Sequence, residues 1–128
     1  MSAEEAEVLR LVNVERAKVG CQALVANPLL VGTARAHSTD MAVRNFFSHT
    51  NPDGKSPFDR MREAGYQGRM MGENIAAGYT TAASVMTAWM NSSGHRANIL
   101  NCGYKELGVG YYSGGSYRHY WTQNFGTR

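Results

Sequence analysis

Three short polar clusters, Ser48-His49, Gly72-Glu73-Asn74 and Gly94-His95-Arg96, interrupt the apolar helical stretches of this chain at roughly even intervals. Each lies in a Gly-, Ser- or Asn-rich break. A chain patterned this way folds as helices and strands that keep their reactive side chains on the connectors. A rigid scaffold can then hold loop residues in one cleft.

The elements between the breaks carry their own signals. A first helix opens at Ser2, where Ser2 and Glu5 form a capping box, and stops at Gly20. Val8, Leu11 and Val12 make its apolar stripe. A second opens at Asn27-Pro28, a cap followed by proline at the first helical position, with Leu30, Ala34, His37 and Met41 facing inward. After the Asn51-Pro52-Asp53-Gly54 turn, a third helix runs from Ser56-Pro57 to Gly65. A fourth spans Thr81 to Met90 with Val85 and Trp89 inward, and a short helical turn follows around His95 to Leu100. The C-terminal part reads as an antiparallel hairpin, Glu106 to Tyr112 and Arg118 to Phe125, around Ser113-Gly114-Gly115-Ser116. Trp121 and Phe125 fall on one face and Tyr120 on the other, which predicts a sheet covered on both sides. Gly72 to Ala77 supplies a third strand. The pattern alone gives an α+β class.

Composition narrows the function classes. A chain of 128 residues, 43% apolar and 18% charged, fits one domain over residues 1–128 with a single core. A net charge of +3 without a basic run argues against nucleic acid as a partner. No apolar stretch is long enough to span a membrane, and no export signal pattern is present. Cys21 and Cys102 form no CxxC pair; the residues alone leave free thiols and a bridge both open.

Five ordered blocks then become specific: FFSHTNPDGKSPFDRM (46–61), MGENIAAG (71–78), AWMNSSGHRANIL (88–100), ELGVGYY (106–112) and YWTQNFG (120–126). Together they resemble the CAP superfamily, the cysteine-rich secretory, antigen-five and pathogenesis-related proteins, in its bacterial SCP-like extracellular branch. The resemblance implies a three-layer α-β-α sandwich with a small, mainly antiparallel sheet and about four helices. It implies an extracellular, secreted, monomeric protein and, because that space is oxidising, a Cys21–Cys102 disulfide.

The resemblance also singles out histidines. Those matching His49 and His95 project, in similar proteins, into a cleft shared with the glutamate matching Glu73. Two imidazoles and a carboxylate are a plausible zinc set, with water as the fourth ligand. The three lie too far apart in sequence to form a compact motif such as HExxH. His37 reads instead as a core histidine bonded to a polar neighbour, and His119 as a packing residue. Asn74, Arg96 and Asn98 read as loop-locking groups. Many relatives carry a second glutamate three residues after the tryptophan of the fourth helix; this chain has Ser92 there. That loss weakens metal affinity, so any zinc is weakly held, and removes a candidate acid or base.

Three functions compete. One is a binding module whose cleft takes a divalent metal or a small ligand, its partner an extracellular lipid, glycan or protein. A zinc-dependent hydrolase of peptides is the second, and it meets a conflict. If Glu73 is a ligand no base remains, and if it is the base only two ligands remain. A structural domain of the cell envelope is the third. Neither a Gly-x-Ser-x-Gly elbow nor a Ser-His arrangement supports a serine hydrolase, because Ser48 and His49 are adjacent and diverge. Binding therefore ranks ahead of catalysis, and no catalytic residue is assigned.

Overall fold

The computed structural model describes residues 1–128. Its elements are α1 (Ala3–Lys18), β1 (Val25–Ala26), α2 (Pro28–Val43), α3 (Pro57–Glu63), β2 (Met70–Ala77), α4 (Ala82–Met90), α5 (Ser93–Ile99), β3 (Glu106–Ser113) and β4 (His119–Thr127). Side-chain caps explain most of the helix starts. Ser2, Ser56 and Thr81 each close a capping box, and Asn27 accepts from the Leu29 and Leu30 N–H groups ahead of Pro28. The short turn expected around His95 is a fifth helix, α5.

The sheet runs β1-β3-β4-β2. β3, β4 and β2 pair antiparallel, and β1 joins β3 in parallel. β1 is too short to show a pattern in the sequence; it exists because β3 offers an edge to pair with. β2 is the opposite edge. Its Glu73 and Ile75 carbonyls accept from Asn98 Nδ2 and Trp89 Nε1, which covers backbone that would otherwise recruit another strand.

Both faces are covered, as the aromatic alternation predicts. One face carries Leu107, Val109, Trp121 and Phe125 into the main core with Val8 and Val12 of α1 and Val85, Met86 and Trp89 of α4. On the other face α2 lies close against β3. A Cβ on Gly108 would fall 2.0 Å from the Leu30 carbonyl carbon, and one on Gly110 2.2 Å from that of Ala34. Only glycine admits that approach. Tyr120 packs there with Met41, Ala42 and Ile75. The result is the three-layer α-β-α sandwich.

The buried stripe of α1 is Glu5, Val8, Val12 and Arg16, so its two ends are charged. Glu5 is satisfied by Arg35 and by the backbone N–H groups of Ser2 and Tyr111. Arg16, fully buried, donates to the carbonyls of Gln22, Ile99, Asn101 and Tyr104 at 2.8–3.1 Å. Beside it Cys21 and Cys102 are bonded, with Cα atoms 5.0 Å apart. The guanidinium and the disulfide fasten the same two segments, those after α1 and after α5.

The bridge spans 81 residues. In the chain-entropy account its reduction lowers the unfolding free energy by about 4–5 kcal/mol, read by urea denaturation with and without reductant. A loss below about 1 kcal/mol would show that Arg16 and the core hold the two segments unaided.

Candidate functional site

Glu73 sits on β2 opposite Asn124 of β4, on the face turned toward α2 and α3. Its side chain is 1% exposed. A carboxylate this buried is tolerable only with full hydrogen bonding. Four contacts supply it. Oε1 accepts from His49 Nδ1 at 2.8 Å and Arg60 Nη2 at 3.0 Å, and Oε2 from Arg60 Nη2 at 2.9 Å and Asn124 Nδ2 at 2.8 Å. Burial pushes the Glu73 carboxyl up. The His49 hydrogen bond, the Arg60 charge and the Asn124 amide more than offset that, and its pKa lies below the ordinary 4.5.

An ionised Glu73 can only accept, so the proton of a neutral His49 resides on Nδ1 and its Nε2 is bare. Arg60 also donates to the His49 carbonyl at 2.8 Å. One guanidinium therefore fixes both the carboxylate and the backbone that carries the imidazole.

His95 is positioned by a separate route. It sits in the first turn of α5, where Ser92 is the N-cap residue. The Ser92 hydroxyl bonds His95 Nδ1 at 2.8 Å and leaves the backbone uncapped. Asn74 Nδ2 donates to the His95 carbonyl, and Asn98 Nδ2 to Asn74 Oδ1. Burial, and to a lesser degree the charge of His49, hold the His95 pKa below 6.5. Serine at the position of the missing carboxylate thus orients the second histidine.

Of the three expected ligands, His49 and Glu73 are joined directly, while His95 bonds Ser92. No group of three or more His, Cys, Asp or Glu side chains is placed to hold a metal ion. A three-ligand zinc centre that includes Glu73 does not fit this arrangement, because its oxygens already serve His49, Arg60 and Asn124. The imidazole Nε2 atoms of His49 and His95 are the donors that remain.

The other histidines are structural. His37 is 1% exposed and its Nε2 donates to the Ser48 carbonyl at 2.9 Å, pinning the loop that carries His49. Burial lowers its pKa below 6.5, against a smaller upward pull from Glu73. His119 bonds the Tyr111 hydroxyl and stacks on its ring. Arg96 reaches the Met90 carbonyl at the end of α4.

Arg60 was not anticipated. It lies three residues after buried Pro57 and beside buried Met61, and only the packing of α3 turns it inward.

Arg60→Met leaves a buried carboxylate without its cation, which costs about 3–5 kcal/mol; adding Glu73→Gln recovers part of that. Urea denaturation at neutral pH measures both, and a cost under about 1 kcal/mol for the single variant would contradict the bracing role. The pH dependence has a defined sign. His37 and Glu73 both titrate lower in the folded than in the unfolded chain, so the unfolded state takes up protons first. Stability falls as pH drops below 6.5 through the His37 window, and again below 4.5 through that of Glu73. His37→Gln flattens part of the first limb, His95 supplying the rest, and leaves the second unchanged.

Comparison with known proteins agrees with this architecture. The chain is 46% identical to the Bacillus subtilis protein YkwD over 125 residues, covering 98% of this chain and 48% of YkwD. It is 39% identical over 121 residues to the Bacillus subtilis membrane protein YlbC, covering 94% of this chain and 34% of YlbC. It superposes with a TM-score of 0.91 on an extracellular SCP-domain protein of Bacillus anthracis, at 32% identity, covering 98% of this chain and 40% of that one. The chain thus spans about half or less of the length of each. The cysteine-rich secretory protein family, CAP, matches residues 9–125. With that family matching residues 9–125, nearly the whole chain, this chain belongs to the CAP family.

Proposed function

We propose that this domain is an extracellular binding module whose cleft, at the β2 edge, presents the Nε2 atoms of His49 and His95 to a divalent metal or a small ligand. The observation that carries this reading is the His49 Nδ1–Glu73 hydrogen bond at 2.8 Å. A carboxylate behind an imidazole fixes the tautomer and aims the ring, as outer carboxylates do behind metal-bound histidines. Ser92 holds the His95 ring in place through Nδ1. Two imidazoles suit zinc, copper or nickel, and with only two protein donors the affinity is low. Glu73 supports the site from behind.

Hydrolysis is a poorer account. It needs a base beside the attacking water, and the Glu73 carboxylate is engaged on both oxygens. The extracellular setting draws on the disulfide, which persists in oxidising compartments, and on the Bacillus anthracis extracellular protein. No helix is long and apolar enough to cross a membrane.

Calorimetric titration with zinc tests the site. Wild type should bind at micromolar to millimolar concentration. His49→Ala with His95→Ala should abolish binding, and Glu73→Gln should weaken it by about 10–100-fold without abolishing it. No binding by wild type, or binding indifferent to the double variant, would reject the metal-binding reading.

A further inference from the structure

The Cys21–Cys102 bond is sheltered at one end only. Cys21 is 8% exposed, and its N–H donates to the Arg16 carbonyl at 3.0 Å. Cys102 stands exposed in the turn after α5. Thiol–disulfide exchange needs a thiolate to reach one sulfur in line with the S–S bond, from the side opposite its partner. For Cys21 that path runs through packed protein. For Cys102 it comes from solvent.

The leaving sulfur is placed as well. Attack at Cys102 expels Cys21 as a thiolate. Fully buried Arg16 donates to the carbonyls of Gln22 and Asn101, the chain neighbours of Cys21 and Cys102, at 3.0 and 2.8 Å. Its cation lies in the junction where the negative charge appears. A neighbouring arginine favours a thiolate over a thiol, and a stabilised thiolate departs faster.

A second cation marks the outer side. Exposed Lys105 reaches from the segment of Cys102 to that of Cys21, its Nζ donating to Gln22 Oε1 at 3.3 Å. The adjacent acid, Glu106, is taken up by Arg128, Tyr66 and Asn27. The charge of Lys105 is left to whatever approaches from solvent.

We propose that Cys102 is a thiol-exchange site, at which a low-molecular-weight thiol bearing carboxylates becomes attached to the folded protein as a mixed disulfide. The incoming thiolate sulfur bonds Cys102 Sγ, and the bond between the two Sγ atoms breaks. Its electron pair leaves on Cys21, which water then protonates. The step balances without a further oxidant or reductant. Lys105 attracts the anionic thiol, and Arg16 stabilises the charge left on Cys21. The site is separate from the His49 and His95 cleft and goes beyond the binding reading.

The test uses the intact, oxidised protein at neutral pH without denaturant. It is incubated with glutathione, a carboxylate-bearing thiol, or with cysteamine, a cationic one, at equal thiolate concentration. Early samples are quenched with excess N-ethylmaleimide and mapped by mass spectrometry. The expected products carry glutathione on Cys102 and maleimide on Cys21, at a rate proportional to thiolate concentration. Glutathione should react about two- to fivefold faster than cysteamine at low salt, with the difference shrinking at high salt. Lys105→Gln, at an exposed position, should fold and cut that preference about twofold.

Adducts mainly on Cys21, or a rate independent of thiol concentration and so limited by global unfolding, would overturn the exchange site. Cysteamine reacting as fast as glutathione, or a preference unchanged in Lys105→Gln, would overturn the thiol class assigned to it.

Discussion

A carboxylate removed from water has to be surrounded by donors, and in this fold that demand falls on Glu73. Its two oxygens collect a guanidinium from α3, an imidazole from the loop after α2 and an amide from β4. Three segments distant in sequence meet at one charge. Because Arg60 also holds the His49 carbonyl, the loop is fixed at its backbone and its ring together. Removing Glu73 would leave a buried arginine and an untethered histidine, so the cleft has the shape it has because this one charge is compensated.

A second anchorage lies in the segments after α1 and α5. Arg16 serves four carbonyls that no regular ladder reaches, and the Cys21–Cys102 bond closes the same junction covalently. α5 carries His95, and Arg16 holds its Ile99 carbonyl. The end of α5 is therefore tied to α1 while its start is set by Ser92 and Asn74. One histidine depends on a buried ion pair, the other on a helix held at both ends. Between them the β2 edge is closed by Trp89 and Asn98, which leaves a groove and not an open strand.

Local chemistry made much of the fold legible. Caps at Ser2, Asn27, Ser56 and Thr81 announce helices because they act within three residues of themselves. The alternation of Tyr120, Trp121 and Phe125 announces a two-faced sheet for the same reason of short range. β1 was not legible, since Val25 and Ala26 are a strand only through β3. The close seat of α2 on Gly108 and Gly110 is likewise a property of the pair of elements.

At the site, His49 and Glu73 were found through family resemblance, and the bond between them needed coordinates. Arg60 reads in the sequence as one more surface arginine on a short helix; only the fold turns it inward onto a buried acid. Ser92 was read as a loss, a missing carboxylate, whereas it holds the His95 ring.

The central claim is that Glu73 holds His49 in one tautomer, with Nε2 free toward the cleft. Long-range nitrogen–proton correlation NMR of the imidazoles at neutral pH measures this directly. The account predicts that neutral His49 carries its proton on Nδ1, and that Glu73→Gln weakens this preference. A His49 protonated mainly on Nε2 in the wild-type protein would contradict it.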